Sequence, residues 1–244
     1  DSSSAASDVY KRQIKYLSSE LNTYMIAFFR AFLGLLILLP IIIKSKINVF
    51  KTKNLKIHLL RGTINSISML LTFTGISLIA LEKAAALTFA VPLYATILSI
   101  IILKEVIKIH RTIGLVFGFI GILIVLRPGF IELEIGSLII ITATFMFAFV
   151  IIIVKYLTKT DSVITIMTYG LTIISPILFI VALFNWQTPN FNQSLLLVCI
   201  ALCGTVVMFC SNKALELAET SFVMPFRFTK LILTSIIGYT IFLE

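Results

Sequence analysis

The chain has 244 residues, of which 59% are hydrophobic and 13% charged, and its formal net charge is +9. Soluble domains are about 45–50% apolar and about 25% charged, so this composition excludes an ordinary soluble globule and a disordered chain. The basic residues fall in short gaps between long apolar runs, which reads as loop charge on a membrane protein and excludes a nucleic-acid surface.

Residues 1–13 open with low complexity, have no apolar period, and read as a non-native leader outside the fold. A membrane helix needs about 20 mostly apolar residues. Eight runs approach that length: Thr23–Ile43, Leu59–Leu81, Ala84–Leu103, Thr112–Leu126, Gly136–Lys155, Ile164–Phe184, Leu195–Ser211 and Ser221–Leu243. Their length predicts helices, because barrel strands are about ten residues and alternate. The gaps are short, so neighbouring helices are expected to run antiparallel.

Alternate gaps divide the cations unevenly. One set holds Lys44, Lys46, Lys51, Lys53, Lys56, Arg61, Lys104, Lys108, Arg111, Lys155, Lys159 and Lys213; the other holds Lys83 and Arg127. The excess of Lys and Arg predicts that the first set faces the cytoplasm. Trp186 then lies in an outer gap, where an interfacial aromatic belongs. His58 and His110 are both placed in cytoplasmic gaps.

The chain is weakly self-similar at an offset of 139: Ile100–Glu105 falls on Tyr239–Glu244, and Arg30 on Tyr169. Five crossings separate equivalent helices, so the halves are expected to be inverted, a recurring transporter plan.

Four stretches are similar to one known family. Ala86–Thr96 (ALTFAVPLYAT), followed by Leu103-Lys-Glu105, resembles the first-half signature of EamA-type members of the drug/metabolite transporter superfamily. Gly114–Gly129 resembles that family's fifth helix and the turn after it, Ala27–Phe32 its second helix, and Met224–Lys230 with Phe242-Leu-Glu244 its ninth. The likeness covers about residues 15–244 and leans towards S-adenosylmethionine uptake carriers through Phe226–Lys230 and the Arg127-Pro-Gly turn.

The resemblance implies an all-α integral membrane fold, an inverted-repeat bundle with eight of ten family helices. Residues 14–129 would form the first repeat and 130–244 the second, with family helices 1 and 10 missing from a truncated fragment. Lys104 and Leu243 depart from the family pattern, which commonly has Gly before each Glu. The implied function is alternating-access transport of a small organic metabolite, amino-acid-like, nucleoside-like or otherwise bearing a carboxylate or phosphate. The alternative is a membrane-embedded transferase or a structural or sensory subunit.

Charges inside a span face the bundle interior or a wet cavity. Arg30 either anchors a substrate anion or bonds backbone carbonyls. Arg227 and Lys230, three apart on one helix face, are candidate substrate contacts or packing groups. Asn65, Ser68, Thr72 and Gly75 make a polar stripe that either lines a cavity or bonds between helices. Gly114, Gly118 and Gly121 form a small-residue packing face. Pro92 and Pro176 interrupt central helices; near them Phe89, Tyr94 and Phe226 could stack on a planar ligand. With Tyr169, these complete the candidate substrate-binding set.

No acidic residue lies mid-run, so a carboxylate proton relay inside the membrane is not indicated. No nucleotide loop, catalytic triad or metal spacing is present, and Cys199, Cys203 and Cys210 read as packing residues, so neither an enzyme nor a cofactor is implied. The expected partners are a small-molecule substrate and the lipid bilayer, without nucleic acid; a homodimer is left open.

Overall fold

The structure, a computed structural model, describes residues 21–44, 49–79, 81–106, 109, 112–113, 115–117, 119–120, 134–184 and 186–226. The leader, Gly114, Gly118, Gly121 and the Arg127-Pro-Gly turn lie outside the described residues, as do Arg227, Lys230 and everything beyond them.

Among the described residues the chain is helical. The elements are α1 (Thr23–Lys44), α2 (Leu55–Leu78), α3 (Leu81–Thr88), α4 (Val91–Leu103), α5 (Ile135–Leu157), α6 (Val163–Leu183), α7 (Phe191–Leu217) and α8 (Thr220–Phe226). Among the described residues, five stretches are long and apolar enough to cross a membrane: α1, Ala86–Leu103, α5, α6 and α7. Local chemistry marks several ends. The Ser162 hydroxyl accepts from the Thr165 amide at the start of α6, and Asn190 and Gln193 cap α7 reciprocally.

Two boundaries differ from the sequence expectation. Helix α2 begins at Leu55, so Lys56, His58 and Arg61 belong to its first two turns rather than to a loop. His58 and Arg61 are buried, because their face of the helix meets α6. The third apolar run is split in two at Phe89–Ala90. Pro92, which lacks an N–H, stands at the start of α4, where a helix leaves that donor unbonded in any case. Pro176, in contrast, lies inside a continuous α6.

The most extensive helix contacts among the described residues join the first half of the chain, α1–α4, to the second, α5–α8. They are α2 on α5, α1 on α6, α4 on α5, α1 on α7, α2 on α6 and α8 on α4. At the 139-residue offset α1 corresponds to α6 and α2 to α7. The α1–α7 and α2–α6 interfaces are therefore equivalents, as an inverted repeat requires.

Met25, Ala31 and Leu38 of α1 pack on Met167, Ile174 and Leu178 of α6. A second cluster joins Val91 and Ala95 of α4 to Ala148, Ile151 and Leu157 of α5, with Leu215 and Met224. The bundle is apolar outside as well as inside: Phe184 and Phe191 are more than four-fifths exposed. That is tolerable where the surrounding solvent is lipid.

Candidate functional site

The two helices on either side of the break, α3 and α4, both pack on α5 of the second half. Amides of Phe89 and Ala90 turn back to the carbonyls of Ala86 and Leu87, and the helix resumes with the Tyr94 amide on the carbonyl of Ala90. Irregular backbone at membrane depth survives only where protein or a water-filled cavity surrounds it. Phe89 is half-buried at the break. Tyr94, one turn into α4, meets Phe145 of α5 edge to face, with ring centroids 5.7 Å apart.

Arg30 lies on α1 against Gly204 of α7; a Cβ at that glycine would stand 2.9 Å from the Arg30 Nε. Asn65 is half-buried on α2. Along the same face the Ser68 hydroxyl donates to the Ala143 carbonyl of α5 at 2.8 Å, and the Thr72 hydroxyl to the Ser68 carbonyl. Gly75 admits Ile140 of α5 where a side chain would collide with it. Ser68 and Gly75 thus bind helix to helix.

Tyr169 belongs elsewhere. It is in the second turn of α6, at the end of the bundle that carries Lys44, Lys51, Lys53 and Lys56, and its hydroxyl donates to the Phe50 carbonyl at 2.9 Å. Phe226 ends the described part of α8, 62% exposed, with its ring edge-on to Phe222. The described members of the candidate set are therefore spread over α1, α2, α4, α6, α8 and the α3–α4 break. Phe89 and Tyr94 share the break, while Tyr169 is at the basic end.

That basic end holds a polar cluster that the loop assignment of His58 and Arg61 concealed. Arg61 is 3% exposed and donates from Nη1 to the Ile166 carbonyl in the first turn of α6 at 2.7 Å. Its guanidinium rests on Gly170. The His58 ring is fully buried and stacks on Tyr169, with centroids 4.6 Å apart. The His58 Nε2 lies 3.6 Å from Asp161 Oδ2, and neither ring nitrogen has a hydrogen-bond partner. Asn54 donates from Nδ2 to the Thr160 hydroxyl at 2.8 Å and reaches Asp161 Oδ2 at 3.4 Å. A signal for this cluster was present in the sequence. His58 and Arg61 extend the Asn65–Ser68–Thr72 stripe backwards at the same spacing of three and four.

Glu105 closes a second junction at the same end. Its carboxylate oxygens accept from the amides of Thr220 and Ser221, at 2.9 Å each, at the start of α8. Beside it, Lys155 of α5 donates to the carbonyls of Leu215 and Ala218 at 2.7 Å each. Burial pushes the Glu105 carboxyl up, but the Ser221 and Thr220 hydrogen bonds outweigh it and hold the group below the ordinary carboxylate range. Lys104 sets this up. Its backbone is left-handed, with φ 54°, and turns the chain so that Glu105 aims at α8. Glycine is the residue suited to that conformation.

At the opposite end, Lys83 pairs with Glu134 at 3.3 Å and the hydroxyls of Tyr24 and Thr74 bond at 2.9 Å. Trp186 packs on Phe28, Phe29 and Phe179 there.

Comparison with known proteins agrees with this architecture. The EamA-like transporter family matches residues 7–127 and 134–244. The S-adenosylmethionine uptake transporter of Rickettsia bellii is 30% identical over 243 residues, 99% of this chain and 82% of that protein. The same-named protein of Rickettsia prowazekii is 30% identical, over 94% of this chain and 78% of its own length. A riboflavin transporter of Vibrio cholerae is 32% identical over 79% of this chain and 65% of that protein. A solved crystal structure superposes with a TM-score of 0.81 at 10% identity, covering 98% of this chain and 85% of that one, which speaks to the fold. With both halves matched in order and packed on each other, the chain belongs to the EamA-like transporter family of multi-pass membrane proteins that carry small metabolites.

Proposed function

We propose that the chain carries a small metabolite with a flat heteroaromatic ring and a polar tail across the bacterial cytoplasmic membrane by alternating access. The observation that carries this reading is the break at Phe89–Ala90 in a helix pair packed on the second half, with Phe89 at the break and Tyr94 one turn on, edge to face with Phe145. Discontinuous helices at a repeat interface supply backbone groups for substrate, and the adjacent rings supply a stacking surface. The relatives named for S-adenosylmethionine and for riboflavin have cargoes that share a flat ring system, which fits this surface. Arg30, Asn65, Phe226, Arg227 and Lys230 are proposed to serve the polar tail, the two cations by pairing with a carboxylate or phosphate. The protein is read as a carrier rather than an enzyme. The end bearing Lys44 to Lys56 is assigned to the cytoplasm by its basic excess.

The test is uptake of labelled S-adenosylmethionine and of riboflavin by liposomes containing the full chain. Saturable uptake of at least one, lowered about tenfold or more by Tyr94→Ala and retained by Tyr94→Phe, is expected. A tenfold loss corresponds to about 1.4 kcal/mol of binding. Uptake of both no faster than in empty liposomes, or full uptake by Tyr94→Ala, overturns the reading.

A further inference from the structure

We infer that His58 and Asp161 form a proton-binding site that governs closure of the cytoplasmic end. The inference rests on the transport reading and its orientation. The two residues belong to opposite halves, His58 to α2 and Asp161 to the turn before α6, so a bond between them fastens one half to the other.

The His58 ring is wholly buried and both nitrogens lack a hydrogen-bond partner. A neutral imidazole here has one N–H and one bare nitrogen, neither within hydrogen-bond distance of a partner, a cost that native interiors rarely carry. One added proton changes this. In the neutral ring an Nε2–H can reach Asp161 only as a weak contact; in the imidazolium the same N–H faces Asp161 Oδ2, at 3.6 Å, within a small movement of a charge-assisted hydrogen bond.

Burial disfavours the charged ring and holds His58 below the ordinary imidazole range; Asp161 pulls the other way and Arg61 adds to the lowering, so the site takes up its proton in mild acid. From its own helix the ring faces Arg61, which is committed to the Ile166 carbonyl. From α6 it faces Asp161 and Tyr169, whose hydroxyl is committed to Phe50. From the segment before α2, Asn54 orients the Asp161 carboxylate. In the last turn of α5, Lys155 is turned to the carbonyls of Leu215 and Ala218. Lys56 and Lys159 are exposed. The protonated pair ties α2 to the turn before α6; loss of the proton removes the charge from that tie, weakens it, and leaves Asn54, Arg61 and Tyr169 to hold the junction. Opening towards the cytoplasm is therefore coupled to release of a proton there.

The experiment follows the junction without any substrate. Spin labels replace the exposed Lys53 and Lys159 of the full chain, with Cys199, Cys203 and Cys210 changed to Ala, and the interspin distance is measured in lipid from about pH 4.5 to about pH 7.5, the lower side of the ordinary imidazole range. The expected result is a short distance in acid and a longer one near neutrality, with a single transition. His58→Gln and Asp161→Asn should each abolish that transition. Should either variant not fold, histidine NMR on the otherwise intact chain carrying His110→Gln reports His58 alone, and its ring should titrate within the same window. A pH-independent distance in the unsubstituted chain, an unchanged transition in both variants, or a His58 ring that does not titrate overturns the proposal. Because no cargo is used, these outcomes stand whether or not S-adenosylmethionine or riboflavin is carried.

Discussion

Arg61 reaches from α2 onto Gly170 of α6, and a Cβ on that glycine would stand 2.9 Å from the Arg61 Nη1. At the pseudo-symmetric interface Arg30 of α1 uses Gly204 of α7 in the same way. Each interface thus places a guanidinium against bare backbone, where a larger residue would bar it.

Gly170→Ala should displace Arg61 from the Ile166 carbonyl and leave a buried charge poorly bonded. The expected cost is about 1–3 kcal/mol, read as a lower unfolding temperature in detergent. Combined with Arg61→Leu, the loss should be less than additive, because the two changes act on one contact. A Gly170→Ala protein as stable as the original would show that the guanidinium has room to move.

Lys104→Gly should stabilise the fold. A left-handed residue with a side chain is disfavoured by about 1 kcal/mol, and glycine removes that strain. Part of the gain is offset by glycine's greater freedom in the unfolded chain. Thermal unfolding of the two proteins decides the matter, and a lower midpoint for the glycine variant is the contrary result.

Glu105→Gln should weaken the junction with α8 at neutral pH, by about 0.5–2 kcal/mol as for other helix caps. The sign with pH follows from the depressed carboxyl. Its contribution is complete above the unfolded carboxylate range, near about pH 4.3. It drains away as pH falls through the lower, folded value. Unfolding curves of the two proteins should therefore differ at pH 7 and converge in acid. A constant difference across that range would assign the effect to something other than the charge.

Ser68→Ala should lower stability by about 1 kcal/mol or less and leave transport unchanged, because the hydroxyl is spent on the Ala143 carbonyl. A large transport defect with normal stability would place Ser68 against the substrate instead.

Reporter fusions should place Lys51 on the cytoplasmic side and Asn190 on the outer side, as the basic asymmetry requires. A fusion at Asn190 active only in the cytoplasm contradicts that orientation.

The spans were legible because bilayer crossing demands a long apolar run, and α1, α5, α6 and α7 each contain one. The break before Pro92 was legible for a similarly strong reason, the missing N–H. The start of α2 was not. Counting Lys56, His58 and Arg61 as loop cations follows from hydropathy alone, but a helix carries such residues readily when one face meets carbonyls and a carboxylate. Those partners, Ile166 and Asp161, lie about a hundred residues away in the chain, beyond the reach of any local pattern. The dispersal of Tyr169 from Phe89 and Tyr94 was hidden for the same reason: depth in the membrane depends on where each helix begins.

The interleaving of the two halves has a consequence for how the molecule is made. Arg61 enters the bilayer region long before Ile166 has been synthesised, and Ser68 long before Ala143. The nascent first half must wait in the membrane with its polar face unmatched, shielded by water, lipid headgroups or the insertion machinery. Neither half expressed alone should persist in cells, whereas the two expressed together as separate polypeptides should accumulate, each serving as the other's assembly chaperone.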